Sequence, residues 1–398
     1  MNKRRATFLL FLIFVSCAFY SLSLQKVLFN IGQTYKLSGA QKGNLVSASS
    51  LGFVLATLTG GYLSEFLGKK PIIAIGSIFS VIGSFLFGYA PNIKLISPYH
   101  LSLFFIFLVG AGTGVMDGVT NALIVDLYPE KKSLYLNLSH AFFAIGAIIE
   151  PIIAGYLIKW FNWSWVYYFV AMFGLLILIL FSFQKFPSFK DEQKLNVEII
   201  RKIVSKRDFW GLNLCIALYV GAEIGFGSWL VEYLQVNNNF ELSQMSAGMF
   251  LSYFWIAMLI GRFLYGFLVE RFSYKTVLSF SSLGGALSSL GFIFVNHLYL
   301  AIAFVVLYGL FLSGMFATII SLGTEKFPRY SGVITGAMVA SGGIGGAIFP
   351  NIIGRIADIE KWGLELGLGS CALYLLGIFI IILMITGGNL YGSKERSK

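Results

Sequence analysis

Asp117 and Asn121 stand four residues apart in a stretch, Leu101 to Val125, that otherwise carries no charge. On a helix that spacing puts both on one side, so a carboxyl group and an amide share one polar patch in an apolar wall. A carboxylate in low dielectric is costly as an anion, which suits a group that loads and releases a proton. The other reading is an aspartate neutralised by a fixed hydrogen-bond network or by Lys26. Glu150 lies in a second apolar stretch, immediately before Pro151. Proline frees a carbonyl one turn earlier, so this region is locally polar. Glu150 is therefore a second candidate for proton coupling or solute contact, or else one half of a structural ion pair. Glu223 sits among Gly221, Gly225 and Gly227. There a helix can bend and a carboxylate can accept hydrogen bonds from hydroxyls, unless Arg262 neutralises it.

Weaker candidates surround these three acids. Asn137 and His140 are three apart in one run, and the near-neutral titration of histidine suits pH-dependent work. Among many aromatics, Tyr219, Trp229, Tyr233 and Trp255 lie near Glu223 or on the following span, where a ring can stack on the apolar face of a small solute. Packing is the alternative for each. Cys17, Cys215 and Cys371 show no disulfide or metal spacing and read as small packing residues. There is no Gly-x4-Gly-Lys-Ser/Thr loop, no Ser/His/Asp set and no metal cluster in the sequence. Neither an enzyme nor a cofactor is expected, and any energy source is an ion gradient. Asn162-Trp163-Ser164 matches a glycosylation sequon.

These residues need elements that hold them in an apolar medium. Of the 398 residues, 57% are hydrophobic and 12% charged, about half the charged share of a soluble domain. That composition excludes disorder and a nucleic-acid-binding domain. Runs long enough to span a bilayer, about 20 residues each, recur twelve times, near 7–30, 43–64, 71–90, 101–125, 137–158, 165–184, 209–233, 246–269, 275–295, 298–321, 331–354 and 364–387. The expected fold is an all-α integral membrane protein of twelve helices. Lys and Arg concentrate at the termini and in the even-to-odd loops, including Lys69, Lys70, Lys131 and Lys132. The positive-inside rule then puts both termini in the cytoplasm of a plasma or inner membrane. Lys3-Arg4-Arg5 ahead of the first apolar run is read as the flank of an uncleaved helix rather than a signal peptide.

Residues 185–208 form the one long polar stretch, a cytoplasmic linker in which Leu195, Ile199, Ile200, Ile203 and Val204 recur at helical spacing. It separates two halves, 1–184 and 209–398. Gly61-Tyr-Leu-Ser-Glu65 is echoed by Gly266-Phe-Leu-Val-Glu270, Asp126-Leu-Tyr-Pro129 by Glu325-Lys-Phe-Pro328, and Gly146, Pro151 and Gly155 by Gly345, Pro350 and Gly354. Three echoes in one order mean a duplicated six-helix bundle. Two bundles rocking about a site near the midplane is the arrangement of a secondary transporter.

Gly61-x3-Glu65-x2-Gly68-Lys69-Lys70 resembles the loop signature of the major facilitator superfamily, with Phe66 where that family usually has a basic residue, and Glu270-Arg271-x3-Lys275 resembles its second copy. The resemblance implies that Gly61, Glu65, Gly68, Lys69, Asp126, Glu270, Arg271 and Glu325 act as a cytoplasmic gate, with the carboxylate of Glu65 capping a neighbouring helix and the glycines permitting close approach. A narrower resemblance is to the fucose:proton symporter branch and its sugar-transporter relatives. It rests on Asp117-Gly-Val-Thr-Asn121, Leu136-Asn137-Leu138-Ser139-His140, Tyr219-Val-Gly-Ala-Glu223, Trp229 and Trp255-x5-Gly261-Arg262. It implies import of a small sugar by a monomer that exchanges substrate and coupling ion across the bilayer. Gln25 stands where that symporter has a proton-binding aspartate, so coupling through two carboxylates does not transfer. The leading expectation is proton-coupled symport of a monosaccharide, with sodium as the alternative ion. Efflux of hydrophobic or cationic compounds, and a non-transporting sensor on the same fold, are the competing readings.

Overall fold

The computed structural model describes residues 3–94, 97–186, 204–237, 239–327, 331–360 and 363–385. The core of the linker, with its amphipathic pattern, lies outside them. Thirteen α-helices occupy the described residues: α1 (Lys3–Tyr35), α2 (Gly39–Leu67), α3 (Lys69–Tyr89), α4 (Pro98–Leu127), α5 (Lys132–Trp160), α6 (Ser164–Phe183), α7 (Arg207–Val236), α8 (Gln244–Arg271), α9 (Tyr274–Phe294), α10 (Leu298–Leu312), α11 (Met315–Lys326), α12 (Ser331–Ala357) and α13 (Gly363–Met384). With α10 and α11 taken together, twelve segments are long and apolar enough to cross a membrane. Many carry bare aromatic and aliphatic faces, such as Phe183 at 84% exposure and Phe294 at 77%. Such faces require lipid around them.

Helix boundaries follow local chemistry. Ser38 and Gln41 form a reciprocal capping box at the start of α2, with Ser38 Oγ accepting from the Gln41 N–H and Gln41 Oε1 from the Ser38 N–H. Between α2 and α3 the chain turns at Gly68 with φ of 87°, a conformation open to glycine and strained for other residues. The sequence predicts one helix over 298–321, yet the structure breaks it at Ser313–Gly314. Tyr265 explains the break. Its hydroxyl bonds the Phe311 carbonyl, and a Cβ on Gly314 would fall 2.0 Å from its ring.

The chain divides into two compact units. The first is Met1–Gln193 with Leu242–Ser252, and the second is Lys194–Glu241 with Tyr253–Lys398. The opening turns of α8 thus group with the first unit. In the first, α2 packs along α4, α3 along α4 and α6, and α1 along α5. In the second, α7 packs along α12 and α13, and α9 along α13 and α10.

The duplication is built into the packing of each unit. A Cβ on Gly110 of α4 would fall 1.9 Å from the Ser49 carbonyl oxygen of α2. At the repeat positions, a Cβ on Gly309 of α10 would fall 2.7 Å from the Phe254 carbonyl oxygen of α8. Both seams rely on a missing side chain to bring two backbones together. Lys70 donates to the Ser182 carbonyl at the end of α6, 2.8 Å away. Its counterpart Lys275 donates to the carbonyl of Ile385, which follows α13. Each lysine satisfies an orphan carbonyl at the negative end of its bundle's last helix.

Candidate functional site

Polar groups in the first unit fall at two depths. Asp117 lies ten residues before the end of α4 at Leu127, about 15 Å by helical rise. Glu150 lies eighteen residues after the start of α5 at Lys132, about 27 Å from that same end of the bundle. The two acids that the sequence groups as coupling candidates therefore occupy separate levels.

At the first level Asp117 is half-buried, and Asn121 Nδ2 donates to its Oδ1 over a long 3.5 Å. The Asn121 carbonyl oxygen Oδ1 is buried without a partner. Cys17 of α1 is the neighbouring polar group, and Asp117 meets no cation among the described residues. Gly114, like Gly110, sits where a Cβ would strike an α2 carbonyl, that of Phe53 at 2.2 Å. Asn137 and His140 are exposed in the opening turns of α5, and the His140 ring meets Phe14 edge-on at 5.4 Å. Gln25 is buried on α1, its side-chain oxygen without a partner.

At the second level Glu150 is 3% exposed. Its Oε1 accepts a 2.8 Å hydrogen bond from Ser23 of α1, while Oε2 has none. The fully buried Lys26, one turn beyond Ser23, supplies the neighbouring positive charge. Lys26 thus serves Glu150 rather than Asp117. Its Nζ donates to the Gln244 carbonyl at 2.8 Å, and Gln244 Nε2 donates back to the Lys26 carbonyl at 2.7 Å. Ser252, two turns along α8, donates to the carbonyl of Ile148 in the stretch loosened by Pro151.

In the second unit Tyr219, one turn earlier on α7, and Arg262 of α8 are the polar and charged neighbours of Glu223. Arg262 is thus the charged neighbour that the sequence offers as the alternative to a solute hydroxyl at Glu223. Trp229 is fully buried and donates its indole N–H to the Pro350 carbonyl at 3.0 Å, a helix-to-helix bond. Tyr233 and Trp255 are buried as well, Tyr233 against Phe292 at 5.3 Å and Trp255 against Phe254 at 5.4 Å. A cavity of about 350 Å³, absent from the sequence reading, opens beside Tyr233, Asn237, Asn239 and Glu365. Asn237 bridges its polar wall, donating to Glu365 and accepting from the Asn239 N–H, both at 2.9 Å.

The signature loop makes contacts other than those expected. Lys69 pairs with Asp126. Glu65 is exposed in the last turn of α2 and makes no hydrogen bond among the described residues, so the expected helix cap is not formed. Gly61 has open space around it, and Gly68 meets only Pro71 Cδ at 3.8 Å. A positive φ, not close approach, accounts for Gly68. In the second copy Glu270, Arg271 and Glu325 are exposed. The ion pair there joins Lys326, the neighbour of Glu325, to Asp208.

Comparison with known proteins agrees with this architecture. The model of the Major Facilitator Superfamily matches residues 8–350. A TsgA homolog of Buchnera aphidicola subsp. Baizongia pistaciae is 26% identical, covering 90% of this chain and 89% of its own. Among solved structures, the nucleoside transporter NupG superposes with a TM-score of 0.81 at 14% identity, over 96% of this chain and all of the other. The E. coli fucose:proton symporter FucP superposes with a TM-score of 0.66 at 22% identity, over 98% of this chain and all of the other. At these identities the structural likenesses establish the fold. The signature loop, the duplicated bundles and the family match together make this chain a multi-pass integral membrane protein that belongs to the Major Facilitator Superfamily, a family of transporters rather than enzymes.

Proposed function

We propose that the protein imports a monosaccharide or similar polyhydroxylated solute together with a proton, by alternating access between residues 1–184 and 209–398. The observation that carries this reading is the Asp117–Asn121 patch. A carboxyl group meets no cation among the described residues, beside a buried amide oxygen that has no partner. Both are acceptors, and the hydroxyls of a sugar are donors. An ionisable side chain within a membrane span costs at least about 2.5–3.5 kcal/mol and marks an ion or solute path. Asp117 is the proton carrier in this reading, with Glu150 as a second carrier. Asn121, Gln25 and Glu223 hold hydroxyls. Two structural relatives are named for a sugar with a proton and for nucleosides, solutes rich in hydroxyls, which supports the same class. The lysine-rich loops favour both termini in the cytoplasm, and Lys69–Asp126 and Lys326–Asp208 then lie on the cytoplasmic side as gate contacts. The unit of transport is the monomer.

The test is uptake of a monosaccharide panel into proteoliposomes under an imposed pH gradient, wild type beside Asp117→Asn. Accumulation above equilibrium is expected in the wild type. Asp117→Asn should abolish it while keeping solute counterflow. Full accumulation in the mutant removes Asp117 from coupling. Absence of uptake for every sugar, under proton and sodium gradients alike, overturns the symport reading.

A further inference from the structure

Lys26 is fully buried, Glu150 nearly so, and the two lie 124 residues apart in the sequence. The lysine runs across the opening turns of α8, where a Cβ on Gly248 would fall 1.2 Å from Nζ. Glycine at 248 is what leaves room for the ammonium group. Two reciprocal hydrogen bonds with Gln244 fix the lysine in that slot. Glu150 is held from one side only, by Ser23 on Oε1, and Oε2 is buried with no partner. Among the described residues, Ser23 touches Glu150 and two further polar groups are its neighbours. Helix α1 presents Ser23 and Lys26, and α6 presents the Tyr167 hydroxyl. The stretch Gln244–Ser252 of α8 contains no charged residue. Asp117 of α4 lies at the other level, beside Cys17.

We propose that Lys26, seated over Gly248, is the positioning residue for Glu150 and sets whether its Oε2 carries a proton. The proposal rests on Glu150 being a proton carrier, as above. With the cation in its slot the carboxylate is compensated. When Oε2 takes a proton, Lys26 retains the Gln244 carbonyl as its hydrogen-bond acceptor. Removing one of two neighbouring buried charges leaves the other uncompensated.

The experiment follows the protonated-carboxyl stretch by infrared difference spectroscopy on the full chain in liposomes, titrated with pH. The band of interest is the one missing in Glu150→Gln. In Lys26→Gln it should persist to a pH at least about one unit higher than in the wild type, because the charge that favours the anion is gone. Lys26→Arg keeps a cation and should return the titration towards that of the wild type. Gly248→Ala displaces the amine but keeps its charge, and should move the titration in the same direction as Lys26→Gln by a smaller amount. It also carries the test if Lys26→Gln does not fold. An unchanged titration in Lys26→Gln or, failing that variant, in Gly248→Ala overturns the proposal. So does the absence of any Glu150-dependent band. Failure of all solutes in the uptake assay would sink the symport reading and leave this titration unmoved.

Discussion

The two bundles share a frame and differ in what they bury at equivalent places. Asp117 corresponds by the repeat to Phe316, and Glu150 to Phe349. In the first bundle these places hold carboxyl groups with an empty oxygen or a distant partner. In the second they hold rings packed on neighbours. Phe316 lies 6.0 Å from Tyr219, and Phe349 lies 4.4 Å from Tyr374 against the bare backbone of Gly221. The glycine seams and lysine caps, by contrast, occur in both. Packing and end-capping are therefore properties of the duplicated unit, while the acids at these two places belong to one copy. The second bundle carries acids at other positions, half-buried Glu223 and buried Glu232, and Glu223 has a tyrosine and an arginine already beside it.

Making the second bundle resemble the first is the strongest way to break this comparison. Phe349→Glu would put a carboxyl group into an aromatic contact, with none of the Ser23 and Lys26 support that Glu150 has. A destabilisation of at least about 2.5–3.5 kcal/mol is expected from the buried charge alone, before the lost ring contact with Tyr374. Thermal unfolding of the purified protein in detergent should show it as a clear drop in midpoint, larger than that of Glu150→Gln. Equal midpoints for Phe349→Glu and wild type would mean that the second bundle tolerates an unsupported acid. The asymmetry would then carry no energetic meaning.

Much of this frame is legible in the sequence, because it depends on local periodicity. Apolar runs of bilayer length, the clustering of Lys69, Lys70, Lys131 and Lys132, and the echo of Gly61–Glu65 in Gly266–Glu270 need no tertiary knowledge. The charges within spans are also plain. What stays hidden is which charge meets which. Lys26 lies inside the first span for any reader to see, yet its partners Glu150 and Gln244 are 124 and 218 residues away. Helix rotation and packing choose them, not spacing. The break at Ser313–Gly314 is hidden for the same reason, since Tyr265 on another helix causes it. The sequence offers Trp229 as a stacking face, and only the fold shows its N–H committed to Pro350. Glu65 fits its motif by position, while the ion pair beside it is made by Lys69 and Asp126.

A second pair of variants sharpens the comparison at the seams. Gly110→Ala and Gly309→Ala each add one methyl where α2 meets α4 or α8 meets α10. Both methyls would strike backbone, which cannot swing aside like a side chain, so overpacking of about 1–3 kcal/mol is expected. The clash is closer at Gly110, at 1.9 Å against 2.7 Å, and the first bundle should lose more. Unfolding midpoints of the two variants, measured side by side, would test that order. A reversed order would show that the second seam is the more rigid one.

The smallest expected effect tests whether the bundles are alike where they appear alike. Lys70→Ala and Lys275→Ala each remove a cation from the negative end of a bundle's last helix and leave one carbonyl, Ser182 or Ile385, without its donor. Charge at a helix end contributes about 0.3–1 kcal/mol when partly exposed, and both lysines are half-buried. Neither variant should shift the global unfolding midpoint much. The local signature is amide hydrogen exchange, which should quicken in the last turn of α6 for one variant and of α13 for the other, by a similar factor of about two to five for that free energy. Exchange that changes at one helix end alone would show that the second lysine is a bystander, and the caps would no longer count among the features the two copies share.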